Sequence, residues 1–199
     1  MPGWLDGGLA PVLVLLAPVA AFVAVSGLDD LLVAAVFLFA PRATPRTDGD
    51  GGEEKRMAVF VPLWREHAVI GKMIERNLAA LRYRRVDFFL GTYPNDPATT
   101  EVVRDLEARF LNVHLVACPH GGPSSKADCL NWIYEGMREF ERRRAARFEV
   151  IVTHDAEDLI HPQSLDCINR YTSHYDMVQI PVLPLPTPWW RLTHGVYCD

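Results

Sequence analysis

The chain has 199 residues, of which 49% are hydrophobic and 23% are charged, and its formal net charge is -5. This length suits one ordinary domain and excludes a large multidomain assembly within the sequence. The acidic balance, without a basic stripe, disfavours a nucleic-acid partner, since proteins that bind nucleic acids concentrate Lys and Arg on one face. The 4 cysteines are not spaced as a zinc knuckle or a redox motif, so we expect reduced thiols.

An apolar segment opens the chain. No charged residue lies between Asp6 and Asp29, and the run from Leu9 to Leu28 reaches roughly 30 Å as a helix, the thickness of a bilayer core. We predict a transmembrane helix at about 9–28 and a shorter interfacial segment at about 31–40. A cleaved signal peptide is the alternative, although such peptides carry positive charge before the apolar run and MPGWLDGG has none.

The charges that flank this membrane anchor (residues 1–40) indicate its orientation. Arg42, Arg46, Lys55 and Arg56 follow the anchor and no Lys or Arg precedes it, which predicts that the rest of the chain faces the cytoplasm. Residues 41–56 are rich in Pro, Gly and acid and are typical of a flexible linker. The folded domain is then expected to occupy residues 57–199.

The remainder alternates short apolar runs, typical of buried strands, with amphipathic patterns typical of helices. Strands separated by helices predict an α/β fold with a mostly parallel sheet, which binds its ligands outside the carboxyl ends of the strands. The predicted strands are 57–62, 86–93, 112–118, 148–154 and 176–182, and the predicted helices are about 66–81, 97–110, 125–144 and 162–171.

The fourth strand runs into an acidic block, HDAEDLIHP, with carboxylates at Asp155, Glu157 and Asp158. Carboxylates about 5 Å apart repel by roughly 3 kcal/mol at an effective dielectric near 20. A hard cation that also binds substrate phosphates relieves this repulsion, which favours Mg2+ or Mn2+. The alternative is an exposed acidic turn before the next helix. His154 and His161 are interpreted as structural, because oxygen-rich surroundings suit zinc poorly.

Two other strand ends carry polar residues. Pro62 and Glu66, in PLWRE, follow the first strand and either hold the edge of a nucleotide base or ribose or belong to a loop whose acid caps a helix. Asp96, in TYPNDP, either caps the following helix or accepts a hydrogen bond from a base or ribose.

The segment GGPSSKAD is a loop of small residues that runs into a helix N-terminus. Lys126, in the first turn, opposes the helix dipole, whereas the N-terminus itself suits an anion. This pattern indicates an anion-binding element, and a plain loop with a solvated lysine is the alternative. The glycines and lysine are not in the register of a P-loop.

Taken in order, VFVPLWRE, GTYPNDP, GGPSSKADCLN and HDAEDLIHPQSL resemble the motifs of the family 2 glycosyltransferases, over about residues 57–188. The resemblance implies the GT-A fold, a Rossmann-like nucleotide-binding α/β sandwich. It also implies inverting transfer of a sugar from a nucleoside-diphosphate sugar, with a UDP-sugar as the expected donor. The segments SGLDDLLV, HDAEDLIHP and MVQIPVLPLPTPW are similar to those of bacterial inner-membrane proteins with a family 2 domain, which implies that membrane as the location.

The resemblance further implies roles for single residues. Asp155, Ala156 and Glu157 match the family's DXD motif, although Glu stands where Asp is more usual. Asp155 and Glu157 are then expected to hold Mg2+ or Mn2+ against the diphosphate, with Asp158 in support. The residues expected to bind the nucleotide sugar are Pro62, Glu66, Asp96, Lys126, Asp128, Asn131 and Asp155.

The family's catalytic base is an aspartate well beyond the DXD motif, and we assign it to no residue of this sequence. We therefore expect the amino-terminal part of a longer enzyme or a truncated homologue, inactive alone, that requires a C-terminal part or a partner chain. A non-catalytic membrane receptor or scaffold on the same fold is the alternative function. A metal-dependent phosphatase is a third, without an evident nucleophile. The Pro-rich residues 181–190 are interpreted as an extended connector, or else as a membrane-interface or acceptor segment.

Overall fold

A computed structural model of the chain describes residues 4–39 and 53–182. The chain divides into two compact units, Met1–Pro45 and Arg46–Asp199. The described part of the first unit is one helix, α1 (Trp4–Phe39). Within it, Val14–Val36 is long and apolar enough to cross a membrane, with a mean hydropathy of 2.0 over 23 residues and none of that stretch buried.

The helix α1 is continuous where the sequence predicted two segments. Asp29 and Asp30 lie inside it, because an aspartate in a helix interior costs less than about 1 kcal/mol relative to alanine and does not end a helix by itself. The candidate span therefore extends beyond the predicted 9–28 and includes much of the predicted interfacial segment.

The second unit is an α/β sandwich around a four-stranded sheet of order β3-β2-β1-β4. All three strand pairs are parallel, which confirms the predicted sheet type. In chain order the elements are β1 (Met57–Pro62), α2 (Ile70–Ala80), β2 (Val86–Thr92), α3 (Pro97–Arg109), β3 (Val113–Ala117), α4 (Lys126–Arg144), β4 (Val150–Thr153) and α5 (Ser164–Tyr171).

The two faces of the sheet have separate cores, because successive side chains of a strand point to opposite faces. From β1, Met57, Val59 and Val61 join a buried cluster with residues of α2, α3 and α5, whereas Ala58 and Phe60 join a cluster with residues of α4. On the α4 side, β2 has a glycine at position 91. A Cβ there would lie 2.7 Å from Cys129 Sγ and from Ile133 Cδ1, so only glycine permits this close approach.

Two predicted boundaries differ from the structure. Helix α2 begins at Ile70 instead of about residue 66, because the Glu66 carbonyl accepts hydrogen bonds from the Val69 and Ile70 amides and so forms a turn before the helix. The predicted linker is too long at its carboxyl end, since Lys55 and Arg56 pack on the domain. The Lys55 amide donates a hydrogen bond to Asn169 Oδ1 at 3.1 Å, and the Arg56 guanidinium donates one to the Asp87 carboxylate.

The predicted fifth strand, 176–182, is absent: these residues lie in the described part of the chain and form no strand. Met177 and Val182 are each 82% exposed, and Pro181 has no amide hydrogen to donate to a ladder. The hydrophobic pattern alone therefore overpredicted this strand. Most of the Pro-rich segment 181–190 lies outside the described residues.

Candidate functional site

The predicted site residues lie in the loops that follow the carboxyl ends of β1, β2 and β4, together with the N-terminus of α4. These strands are parallel neighbours, with Pro62 paired to Gly91 and Phe60 to Thr153. Their following loops therefore leave the same edge of the sheet, where open α/β sheets bind ligands.

The central contact of this edge joins Lys126, in the first turn of α4, to Asp155, just after β4. The Lys126 Nζ atom hydrogen-bonds Asp155 Oδ1, and the two side chains are 55% and 52% exposed. Ser125 caps α4 by accepting a hydrogen bond from the Asp128 amide at 3.1 Å, which places Lys126 at the start of the helix. A half-exposed ion pair contributes little to stability, so both groups stay available to a ligand.

The loop after β4 is shaped by one of its own carboxylates. Asp158 Oδ2 accepts a hydrogen bond from the Asp155 amide at 2.9 Å and lies 3.1 Å from His154 Nδ1. Asp158 therefore orders the turn that presents Asp155, and His154 has a structural contact within the same turn. Glu157 is exposed.

The three carboxylates do not gather into one ligand set. Among the residues that the structure describes, no group of three or more His, Cys, Asp or Glu is arranged to hold a metal ion. Asp155 and Glu157 nevertheless offer exposed carboxylate oxygens, and Mg2+ is commonly bound through one or two carboxylates plus substrate phosphates. The donor chemistry therefore fits a hard divalent cation that arrives with a diphosphate.

Sequence reasoning missed the residue that anchors this loop, Asn77 of α2. It is 1% exposed, its Nδ2 donates to the Asp158 carbonyl at 3.0 Å, and its Oδ1 accepts from the Ile160 amide at 2.9 Å. The available signal was a polar residue on the otherwise apolar face of α2, one turn after Met73 and Ile74.

Asp96 connects the loops after β2 and β1. Its Oδ2 accepts a hydrogen bond from the Arg65 amide at 2.6 Å, and its Oδ1 accepts one from the Thr99 amide at 3.4 Å. Asp96 therefore caps α3, which was one of the two interpretations of this residue. Burial opposes its ionisation, but the hydrogen bonds from Thr99 and Arg65 outweigh burial and lower the pKa of Asp96. Contact of Asp96 with a base or ribose stays a prediction.

The backbone of Arg65 is left-handed, with φ of 60°, a conformation that non-glycine residues adopt infrequently. Its amide donates to Asp96, so that carboxylate supports the unusual turn. The adjacent Trp64 packs edge-on against Tyr93, with ring centroids 5.5 Å apart. The turn after β1 thus positions an aromatic pair at the site.

The loop before α4 is held against this aromatic pair. Asn95 Nδ2 donates to the Gly122 carbonyl at 2.6 Å, and the Gly122 amide donates to Asn95 Oδ1 at 2.7 Å. A Cβ at position 122 would lie 2.8 Å from the Tyr93 ring and 2.9 Å from the Trp64 ring, so glycine is required here. These loop-to-loop contacts were not evident from the sequence.

The remaining predicted residues occupy the same edge. Asp128 accepts a hydrogen bond from Ser124 at 2.6 Å and lies 3.1 Å from His120 Nε2, while Asn131 is exposed on α4. Pro62 and Glu66 are partly exposed on either side of the turn after β1. The structure therefore brings Lys126 and Asp155 into contact, whereas the other predicted residues lie on the first turns of α4, at the end of β1 and on the adjoining loops.

Residues 55–194 match the family described as "Glycosyltransferase like family 2". The match covers more than half of the sequence, and the chain belongs to this family, which confirms the resemblance inferred from the four motifs.

Two curated relatives are named as phage adsorption proteins. Bacteriophage adsorption protein B of Escherichia coli (strain K12) is 40% identical over 186 residues, which cover 88% of this chain and 25% of that protein. Bacteriophage N4 adsorption protein B of Escherichia coli O157:H7 matches with the same identity and coverage. The chain thus spans about a quarter of the length of these relatives.

A solved structure with a similar fold is the mannosyltransferase PcManGT from Pyrobaculum calidifontis in complex with GDP-Man and Mn2+. It superposes with a TM-score of 0.52 at 20% sequence identity, over 76% of this chain and 42% of that chain. At this level of identity the likeness concerns the fold, which is that of a GT-A glycosyltransferase.

Proposed function

We propose that this chain is the donor-binding part of a membrane-anchored, inverting glycosyltransferase that uses a nucleoside-diphosphate sugar. The observation that carries the proposal is the contact of Lys126 with Asp155 at the carboxyl edge of a parallel sheet. It sets a cation and a carboxylate, both half exposed, at the N-terminus of a helix, in a chain of a glycosyltransferase family.

The chemistry follows from the charge that develops when a diphosphate leaves the sugar. Lys126 and the amide groups at the start of α4 stabilise negative charge on the departing diphosphate. Asp155 holds the Lys126 ammonium over this edge before the donor binds. Mg2+ or Mn2+, held by Asp155 and Glu157, would supply further charge neutralisation at the same phosphates.

The other residues of the edge then contact the rest of the donor. Asp128 and Asn131 flank the diphosphate on α4, while Pro62, Glu66 and Asp96 border the nucleoside. The Trp64–Tyr93 pair lies beside this region. We expect a UDP-sugar, and the GDP-Man bound to the solved mannosyltransferase makes a GDP-sugar the first alternative to test.

The acceptor side and the catalytic base are assigned to residues that are not in this sequence. The relatives are about four times as long as the matched region, which supports a longer protein or a partner chain as their source. This chain alone is then expected to bind donor and metal without turnover. Transfer of radiolabelled sugar by this polypeptide alone would contradict that part of the proposal.

Helix α1 is proposed as the anchor in a bacterial cytoplasmic membrane, with the second unit in the cytoplasm. The length and apolar character of Val14–Val36 and the Lys and Arg residues that follow support this arrangement. Reporter fusions after residue 199 test the orientation, and a periplasmic signal would overturn it.

The donor site is tested by calorimetric titration of the full chain with UDP and with GDP, each with Mn2+, with Mg2+ and with a chelator. Binding is expected to require metal and to be weakened strongly in Asp155→Asn, which removes a proposed metal ligand. Glu101→Gln, an exposed change on α3, is the matched control and should bind as the parent does. Absence of any metal-dependent binding would refute the donor-site proposal.

A non-catalytic receptor or scaffold is the second candidate, because both curated relatives are named for phage adsorption. That function requires the fold and its surface but not a nucleotide. The same titration distinguishes the two candidate functions. A chain that folds normally but binds no nucleotide, with or without Mn2+ or Mg2+, would support the receptor or scaffold function.

A further inference from the structure

The amino ends of the strands, at the opposite edge from the proposed donor site, carry a concentration of arginine. Arg56 precedes β1, Arg85 precedes β2, and Arg144 ends α4. Together with Arg147 they line a shallow pocket of about 810 Å3, in which Glu149 is the acidic residue. We call this the arginine pocket.

Not all of this positive charge is neutralised by the protein. Arg56 pairs with Asp87 at 3.0 Å, and Arg85 with the 91% exposed Glu53 at 3.2 Å. In the described parts of the chain, 4–39 and 53–182, no ion pair involves Arg144 or Arg147. The pocket thus combines two unpaired guanidinium groups with one whose partner is solvent-exposed.

Further arginines surround the pocket. Arg82 and Arg84 are exposed on the connection that leads into β2. Arg142 and Arg143, in the last turn of α4, are about 70% exposed and share one acidic partner, Glu139. Arginines in a last turn also stabilise the helix dipole, but this does not account for those of the α2–β2 connection or for Arg147. In a chain with net charge -5, this end of the domain is a local positive surface.

The path of the chain favours a particular ligand. Residues 53–56, which lead into β1, run along this same edge, with the Met57 amide donating a hydrogen bond to the Arg85 carbonyl at 2.8 Å. The edge at which the domain is tethered is therefore its positive edge. Guanidinium groups bind phosphate with paired hydrogen bonds, and the cytoplasmic leaflet of a membrane presents anionic phosphate groups.

We infer that the arginine pocket binds the phosphate groups of anionic lipids and holds the amino edge of the domain against the membrane, leaving the carboxyl edge open to donor. The orientation of the domain in this inference rests on the proposed membrane anchoring by α1, whereas the binding of lipid phosphates by the pocket does not, and both are independent of nucleotide binding.

The test uses the full chain with vesicles of phosphatidylcholine, with or without phosphatidylglycerol, and measures flotation and amide hydrogen exchange. Flotation is expected with both lipid compositions, because insertion of α1 does not depend on lipid charge. Exchange in residues 82–86 and 142–149 should slow by about fivefold or more only with phosphatidylglycerol, since each arginine near an anionic surface contributes about that factor. The double variant Arg144→Glu, Arg147→Glu should abolish this protection, and Arg144→Lys, Arg147→Lys should keep most of it.

The control Arg76→Glu, Arg104→Glu reverses two exposed charges on α2 and α3 and should leave the protection unchanged. Flotation without any lipid-dependent protection would overturn the pocket and leave the anchor in place. Flotation only with phosphatidylglycerol would support the pocket and overturn the anchor, and flotation with neither would overturn both. Equal protection by inorganic phosphate on phosphatidylcholine vesicles would reassign the pocket to a soluble phosphate.

Discussion

Asn77 and Ile160 are 83 positions apart in the sequence, yet the Asn77 side chain accepts the Ile160 amide hydrogen bond at 2.9 Å. The same side chain donates to the Asp158 carbonyl at 3.0 Å. Helix α2 thereby fixes the far end of the loop that presents Asp155 to Lys126. The buried side-chain amide of Asn77, which lies on one face of the sheet, thus helps to set the geometry of the candidate site at the carboxyl edge of the sheet.

Replacement of Asn77 by alanine should lower the free energy of unfolding by about 2–4 kcal/mol, because it leaves the buried Ile160 amide and the partly buried Asp158 carbonyl without their partner. Urea denaturation of the full chain in detergent measures this change. Asn131→Ala, at an exposed position on α4, is the matched control and should cost less than about 0.5 kcal/mol. Equal effects of the two substitutions would show that Asn77 does not anchor the loop.

Replacement of Lys126 by methionine should separate binding from stability. The half-exposed pair with Asp155 contributes at most about 1 kcal/mol to folding, so the unfolding midpoint should barely move. Affinity for UDP or GDP should fall about tenfold or more, because a charged hydrogen bond to phosphate contributes roughly 1.5–3 kcal/mol. Calorimetry and thermal unfolding on the same samples provide both numbers. Unchanged nucleotide affinity would remove Lys126 from the donor site.

Asp96 predicts an acid-sensitive component of stability. Its pKa is lowered in the folded chain relative to the ordinary value of 3.8, so folding favours its ionised form. This stabilisation is fully present above the ordinary value and is lost as the pH falls through the lower folded value. Asp96→Asn cannot ionise and should therefore be less stable than the parent at neutral pH, with the difference shrinking as the pH falls below the ordinary value of 3.8.

Denaturation curves recorded across that pH range test the Asp96 prediction. Asp176→Asn, which changes an exposed aspartate, should follow the parent throughout. A difference between Asp96→Asn and the parent that stays constant down to the lowest pH would show that ionisation of Asp96 does not support the fold.

Two glycines should respond in opposite directions to the same substitution. Gly91→Ala places a methyl group 2.7 Å from Cys129 and Ile133, and the resulting overpacking should cost about 1–3 kcal/mol. Gly71→Ala, in α2, meets only Val102 at an ordinary 3.5 Å and should stabilise the helix by about 0.5–1 kcal/mol. Thermal unfolding of both variants provides the comparison, and stabilisation by Gly91→Ala would contradict the packing of α4 on β2.

The sequence predicted most of the elements because their signals are local. The first strand, MAVFVP, was predicted with the bounds that the structure has, and the N-cap and first residue of α3 were read from Asp96 followed by Pro97. The two wrong predictions, a fifth strand at residues 176–182 and a division of α1 into two segments, have local causes too. The run DMVQIPV has the composition of a strand but no partner strand in the described chain, and the aspartates at 29 and 30 lack the strength to end a helix.

The identity of the candidate site residues could be predicted from the sequence, but the contacts between them could not. Lys126 and Asp155 were each singled out by their neighbours in sequence, whereas their contact depends on how α4 packs beside β4. Asp158 was expected to support the metal site, and that role stays a prediction. The contacts of its Oδ2 with the Asp155 amide and with His154 depend on the conformation of the loop, which the sequence pattern does not specify.

The amino-acid sequence by itself determined that an apolar helix is followed by a parallel α/β domain of the family 2 glycosyltransferases. These features could be predicted because hydrophobic periodicity and ordered motifs are properties of short segments. Only the tertiary structure decided which polar groups meet. The packing of helices on the two faces of the sheet brought Asn77 to the acidic loop, Arg65 to Asp96, and arginines from three separate segments to one edge. Such contacts join residues far apart in the chain, so no local pattern specifies them.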